Sequence, residues 1–143
     1  MAKTRLTIAV AALAALVGGA MAADTDLATR EAQVYAAAIL HAARGYKCTT
    51  KMPCCFSVNR QQPSEAVVRE LHGQRHLRPI QPHTACAELT LDAVRVTSDK
   101  PDREAVAIAA GSETAPFLFC TFFLRLTSSG WKVMPSDTMC PVT

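Results

Sequence analysis

Six cysteines, Cys48, Cys54, Cys55, Cys86, Cys120 and Cys140, are the residues of this 143-residue sequence with the most chemistry to offer. A thiolate can attack, coordinate a metal or cross-link. No pair has the Cys-x-x-Cys spacing that lets one thiol resolve the other's mixed disulfide, and an even count favours three structural bridges. Imidazoles come next. His72, His76 and His83 lie close to Cys86, and two histidines four apart on a helix can share one zinc ion. Gly73, however, interrupts any helix between them, and an oxidised Cys86 is no ligand. Tyr35 and His41 fall on a helical segment and could orient a small ligand or relay a proton, but no carboxylate can be placed beside either. The sequence has no Gly-x-Ser-x-Gly elbow and no glycine-rich phosphate loop. The expectation is therefore no catalytic residue, no metal ligand and no cofactor, with an enzyme as the lesser reading.

The elements that must hold these residues begin after an N-terminal segment of different character. Residues 1–22 read as a secretory signal: Lys3 and Arg5, an apolar run from Leu6 to Val17, then small residues, with Ala20-Met21-Ala22 as the favoured cut. The run is short for a membrane span, so no stable membrane anchor is expected after cleavage. Residues 23–143 are expected to form one exported α+β domain, periplasmic or secreted, in an oxidising compartment that suits the cysteines.

Removing Lys3 and Arg5 leaves thirteen Lys and Arg against twelve Asp and Glu, too balanced for a nucleic-acid partner. The charge is uneven, with Arg44, Lys47, Lys51, Arg60, Arg69, Arg75 and Arg78 facing only Glu65 and Glu70 over residues 44–78. The ordinary account is a solvated face. The functional one is a cationic contact surface around Arg44, Lys47, Lys51 and Arg60.

From Asp26 to Arg44 the pattern is helical: Asp26 as the cap, Leu27, Val34, Ala38 and Ala42 as the buried stripe, and Gly45 as a left-handed stop. A cysteine-bearing loop and a short strand at Cys55–Val58 follow. Pro63-Ser64 opens a second helix that buries Val67, Val68 and Leu71 and ends at Gly73. Residues 74–84 read as loop. Strands are predicted over Ala85–Thr97, with a phase slip near Asp92-Ala93 that could hold a bulge. Further strands carry Val106, Ile108 and Ala110, then Phe117–Thr127, then Trp131–Val133. The fold class is thus α+β, with N-terminal helices packed on a C-terminal antiparallel β-meander stabilised by disulfides.

A hairpin centred near Ser129 carries Cys120 close to Cys140, which makes them the favoured pair. Cys48 with Cys54 or Cys55, and the remaining neighbour with Cys86, completes the set; adjacent cysteines seldom bridge each other. Along the most apolar strand, Leu118, Phe122, Leu124 and Leu126 point one way and Phe117, Phe119 and Phe123 the other, so both sides need cover. Sheet curvature and helices can supply it, or a homodimer can form through Phe117, Phe119 and Phe123.

The order helix, short strand, helix and curved meander ending in Gly130-Trp131-Lys132-Val133 resembles the cone-shaped nuclear transport factor 2-like architecture. That resemblance implies a fold and leaves the chemistry open, since the family includes enzymes and pure binding modules. The functional expectation is an exported binding protein, an inhibitor or immunity partner of an envelope-acting enzyme. The alternative is a nuclear transport factor 2-like small-ligand protein or enzyme with a pocket near Tyr35 and His41.

Overall fold

A computed structural model of the protein describes residues 6–112 and 115–140, and the side chains of 26–112 and 118–140. Two units are distinguished, Met1–Glu31 and Ala32–Thr143. Helix α1 runs Leu6–Gly45, so Asp26 lies inside it rather than at its cap, and Leu27 is exposed. Among the described residues no helix is long and apolar enough to cross a membrane.

The second unit is α+β. After α1, whose residues Ala32–Gly45 belong to this unit, come β1 (Cys54–Val58), α2 (Glu65–Glu70), β2 (Leu77–Pro79), β3 (Thr90–Val96), β4 (Glu104–Ser112), β5 (Ala115–Thr127) and β6 (Gly130–Val133). The six strands form one sheet in the order β2-β1-β3-β4-β5-β6. From β3 to β6 it is the expected antiparallel meander. β1 joins β3 in parallel and β2 joins β1 in parallel, making the sheet mixed. Parallel pairing follows from the connections, since α2 and a ten-residue loop bring the chain back along the edge in the same sense.

Alternation along the strands gives the sheet two faces. On the first, Phe56, Leu91, Ala93, Val106, Ile108, Ala110, Phe122 and Leu124 are buried in one cluster with Val34, Tyr35, Ala38, Ile39 and Ala42 of α1. The alanines let helix and sheet approach closely, and Ile39 and Leu124 are fully buried between them. Helix α2 is capped by Ser64, whose hydroxyl accepts from the Val67 N–H, and buries Val67 and Leu71. Gly73, at φ +87, provides the left-handed residue after it.

Helix α1 ends differently from expectation. Gly45 is its last residue, and Lys47 takes the left-handed conformation at φ 58. The Lys47 N–H donates to the Arg44 carbonyl and the Cys48 N–H to the Ala43 carbonyl. That is a Schellman closure with lysine where glycine is usual.

Three disulfides fasten the elements: Cys48–Cys54, Cys55–Cys86 and Cys120–Cys140. The first joins the loop after α1 to β1, the second ties the loop after β2 to β1, and the third ties the C-terminal segment to β5. A 3-10 turn at Pro135–Asp137 offsets that last segment from the β5–β6 register, after which Thr121 and Met139 pair as an isolated bridge. Cys120 and Cys140 lie one step further along the same register.

β3 pairs with β4 without interruption from Thr90 to Val96, so no slip occurs at Asp92-Ala93. The irregularity lies instead between Ala110 and Ser112, opposite β5. Residues 85–89, expected as strand, precede β3 as loop, and Leu77–Pro79, expected as loop, is β2.

Candidate functional site

The second face of the sheet carries Ser57, Thr90, Asp92, Ala109 and Phe119, set side by side by the pairings of β1, β3, β4 and β5. Among the described residues no helix lines the trough that lies on this row. The loop after β2 crosses it instead, and Ile80, Gln81, Thr84 and Cys86 complete the wall of the trough, about 520 Å3 in volume. That volume falls within the range of small-molecule sites. The Cys55–Cys86 disulfide holds the loop against β1. Ile80 N–H donates to the Phe56 carbonyl at the near end of the loop, and Cys55 N–H to the Leu89 carbonyl at its far end.

In the floor lies Asp92, only 6 % exposed. Its Oδ1 accepts two hydrogen bonds, from the Ser57 hydroxyl at 2.6 Å and from the Arg60 N–H at 2.7 Å. Both donors sit on one oxygen. Among the described residues no protein group donates to its other oxygen, Oδ2, and Asp92 lines the trough. A carboxylate with only part of its hydrogen-bonding capacity used, in a largely apolar trough, is a group prepared for a further partner.

Two turns border the trough, and both hold non-glycine residues in the left-handed region. Val58 and Gln61 exchange both backbone hydrogen bonds across Asn59 and Arg60, which are both left-handed at φ 53 and 59. This is the pattern of a type I′ turn, where glycine normally follows asparagine. Arginine there costs about 1 kcal/mol, and the bond from its N–H to Asp92 offsets part of that. Across the trough, Pro82 and left-handed His83 occupy the centre of the Gln81–Thr84 turn. Phe119 forms an outer wall and is 51 % exposed.

The expected site residues fall into separate places. Arg44, Lys47 and Lys51 are exposed around the end of α1 and the loop before β1. Arg60 follows the opposite end of β1, about five residues of strand away or roughly 17 Å. It belongs to the trough rim rather than to that basic group. Tyr35 is buried in the helix-to-sheet core, and His41 packs edge-on against Phe122 with ring centroids 5.1 Å apart. Burial lowers the His41 pKa, and the Arg44 charge lowers it further. Neither residue lines the trough.

Cys86 is bonded to Cys55, so the grouping of His72, His76, His83 and Cys86 has no thiolate. Glu88 lies 3.4 Å from the Cys86 sulfur and 3.9 Å from that of Cys55. Oxidised sulfurs carry no proton, so these are packing contacts rather than hydrogen bonds. The same oxidation removes Cys55, Cys86 and Glu88 as a metal set. On β5, Phe119 and Phe123 share the second face; Phe123 is half-buried beside Met139 and the 3-10 turn, and the Phe117 side chain lies outside the described residues.

No family model, curated protein or solved structure matches the chain. Any functional reading therefore rests on the trough itself.

Sequence reasoning missed Ser57 and Asp92. One signal was present: Asp92 stands between the apolar residues Leu91 and Ala93. A charged residue at that place reads as a break in alternation, whereas it marks a buried polar position on the second face.

Proposed function

We propose that the protein is an exported, disulfide-stabilised binding protein that holds a small ligand in the trough on the second sheet face. The supporting observation is the trough itself, roofed by a cross-linked loop and floored by the Ser57–Asp92 pair. A preorganised wall lowers the ordering cost of binding, and three disulfides suit an oxidising compartment such as the periplasm or the outside of the cell. This site lies on the sheet face opposite Tyr35, away from the pocket near Tyr35 and His41 expected with the nuclear transport factor 2-like resemblance.

A protein partner on the same face is the second reading. Val94, Val96 and Phe119 are exposed there, and an inhibitor or immunity partner needs such a contact surface.

A neutral apolar fluorophore such as N-phenyl-1-naphthylamine tests the proposal. Its emission should rise on titration with the oxidised chain, and Phe119→Asp should weaken binding at least tenfold. Charge reversal at Lys47 and Lys51 should leave it unchanged. Equal binding by wild type and Phe119→Asp would reject the trough as the site. Amino-terminal sequencing of the chain recovered from the envelope or medium should begin at Ala23 if residues 1–22 are a cleaved signal.

A further inference from the structure

The geometry points to a small organic cation as the ligand of the trough: an ammonium group on an apolar stem, with the cation at Asp92 Oδ2 and the stem along Phe119 and Ile80. This inference rests on the trough being the binding site and adds the chemical class. Three features carry it. Asp92 is more than nine-tenths buried, and both of its protein donors, the Ser57 hydroxyl and the Arg60 N–H, converge on Oδ1. Among the described residues Oδ2 is thus left without a protein donor, on a residue that lines the trough. An ammonium supplies the missing donor and the compensating charge together, which a neutral hydroxyl or an anion cannot do.

The second feature is the apolar part of a lining that also includes Gln81, Thr84, Thr90 and Ser112. Ile80, Ala109, the Cys55–Cys86 bridge and the Phe119 ring offer an apolar path from Asp92 to the mouth. An aromatic face also attracts a cation as it enters. The volume of about 520 Å3 suits a small molecule rather than a folded partner.

Charge balance is the third. Arg60 also lines the trough, and its positive charge opposes a cationic ligand. Arg60 is exposed, so water screens its repulsion, whereas the attraction of buried Asp92 acts through protein of lower effective dielectric. The buried charge dominates.

The test compares three ligands of one shape on the oxidised full chain by isothermal titration calorimetry: phenethylammonium, 2-phenylethanol and 3-phenylpropionate. The expected order is phenethylammonium tightest, at least tenfold above 2-phenylethanol, with 3-phenylpropionate weakest. Asp92→Asn keeps the Oδ1 acceptor for Ser57 and Arg60 and should bring the ammonium and the alcohol within twofold of each other. Arg60→Gln should tighten ammonium binding about twofold. If 2-phenylethanol binds as well as the ammonium to wild type, the trough stands as a site and the cationic class is overturned. The same holds if Asp92→Asn, folded by circular dichroism, keeps the tenfold gap. If none of the three binds and N-phenyl-1-naphthylamine also fails, the trough reading falls and this inference with it.

Discussion

The two faces of the sheet are built from the same strands and arrive at opposite solutions. On the first, α1 supplies small and branched side chains that close the surface, leaving Ile39 and Leu124 fully buried. On the second, a loop held by Cys55–Cys86 covers only part of the row, and a buried polar pair, Ser57 and Asp92, forms the trough floor. A face closed by a helix is committed to stability. A face roofed by a tethered loop keeps space for something else, and the bridge does for that loop what packing does for the helix.

The largest expected effect separates the faces directly. Leu124→Ala, on the first face, should cost about 3 kcal/mol or more of unfolding free energy, since it opens a cavity the neighbours cannot fill. Phe119→Ala, on the second, should stay within about 0.5 kcal/mol while weakening probe binding. Equal losses in urea denaturation would erase the distinction.

Next comes the tether. Replacing Cys55 and Cys86 together by alanine should cost about 3–4 kcal/mol on chain-entropy grounds, because the bridge closes a loop of 31 residues. The corresponding Cys48 and Cys54 replacement closes only six and should cost about 2 kcal/mol. Only the first change should also reduce binding in the trough. Loss of binding from both would show that the roof depends on general stability rather than on its own bridge.

Smaller effects sharpen the first face alone. Lys47→Gly places glycine at a left-handed position and should raise stability by about 0.5–1 kcal/mol without touching the trough. His41, edge-on to Phe122, has its folded pKa held below 6.5 by burial and by Arg44. Its contribution to stability is therefore complete above the unfolded value of about 6.5 and is lost as pH falls through the folded pKa. The difference between wild type and His41→Gln in urea midpoint should shrink from pH 7.5 to pH 5. An unchanged difference would remove His41 from the pH response.

The first face was largely legible in the sequence because periodicity reports burial: Val34, Ala38 and Ala42 on α1 and Phe122 and Leu124 on β5 repeat at the spacing their elements require. The cysteine arithmetic likewise left few alternatives, and the structure pairs Cys120 with Cys140 and chooses Cys54 over Cys55 for Cys48. Strand alternation explains that choice. Cys54 shares the core face with Phe56, whereas Cys55 faces the second side, toward Cys86. The trough was not legible, because its walls come from residues 57, 60, 80–92, 109–112 and 119, joined by parallel pairing and by a loop whose path no local pattern encodes. Asp92 was visible only as an interruption. The basic residues, read as one surface, are divided by the length of β1.

Mapping a photoreactive, neutral apolar probe onto the oxidised chain by mass spectrometry tests the division of the faces most directly. The account predicts cross-links at the loop containing Ile80 and Thr84 and at Phe119, suppressed by excess phenethylammonium. Cross-links concentrated on the segment around Tyr35 and His41, unaffected by that competitor, would contradict it.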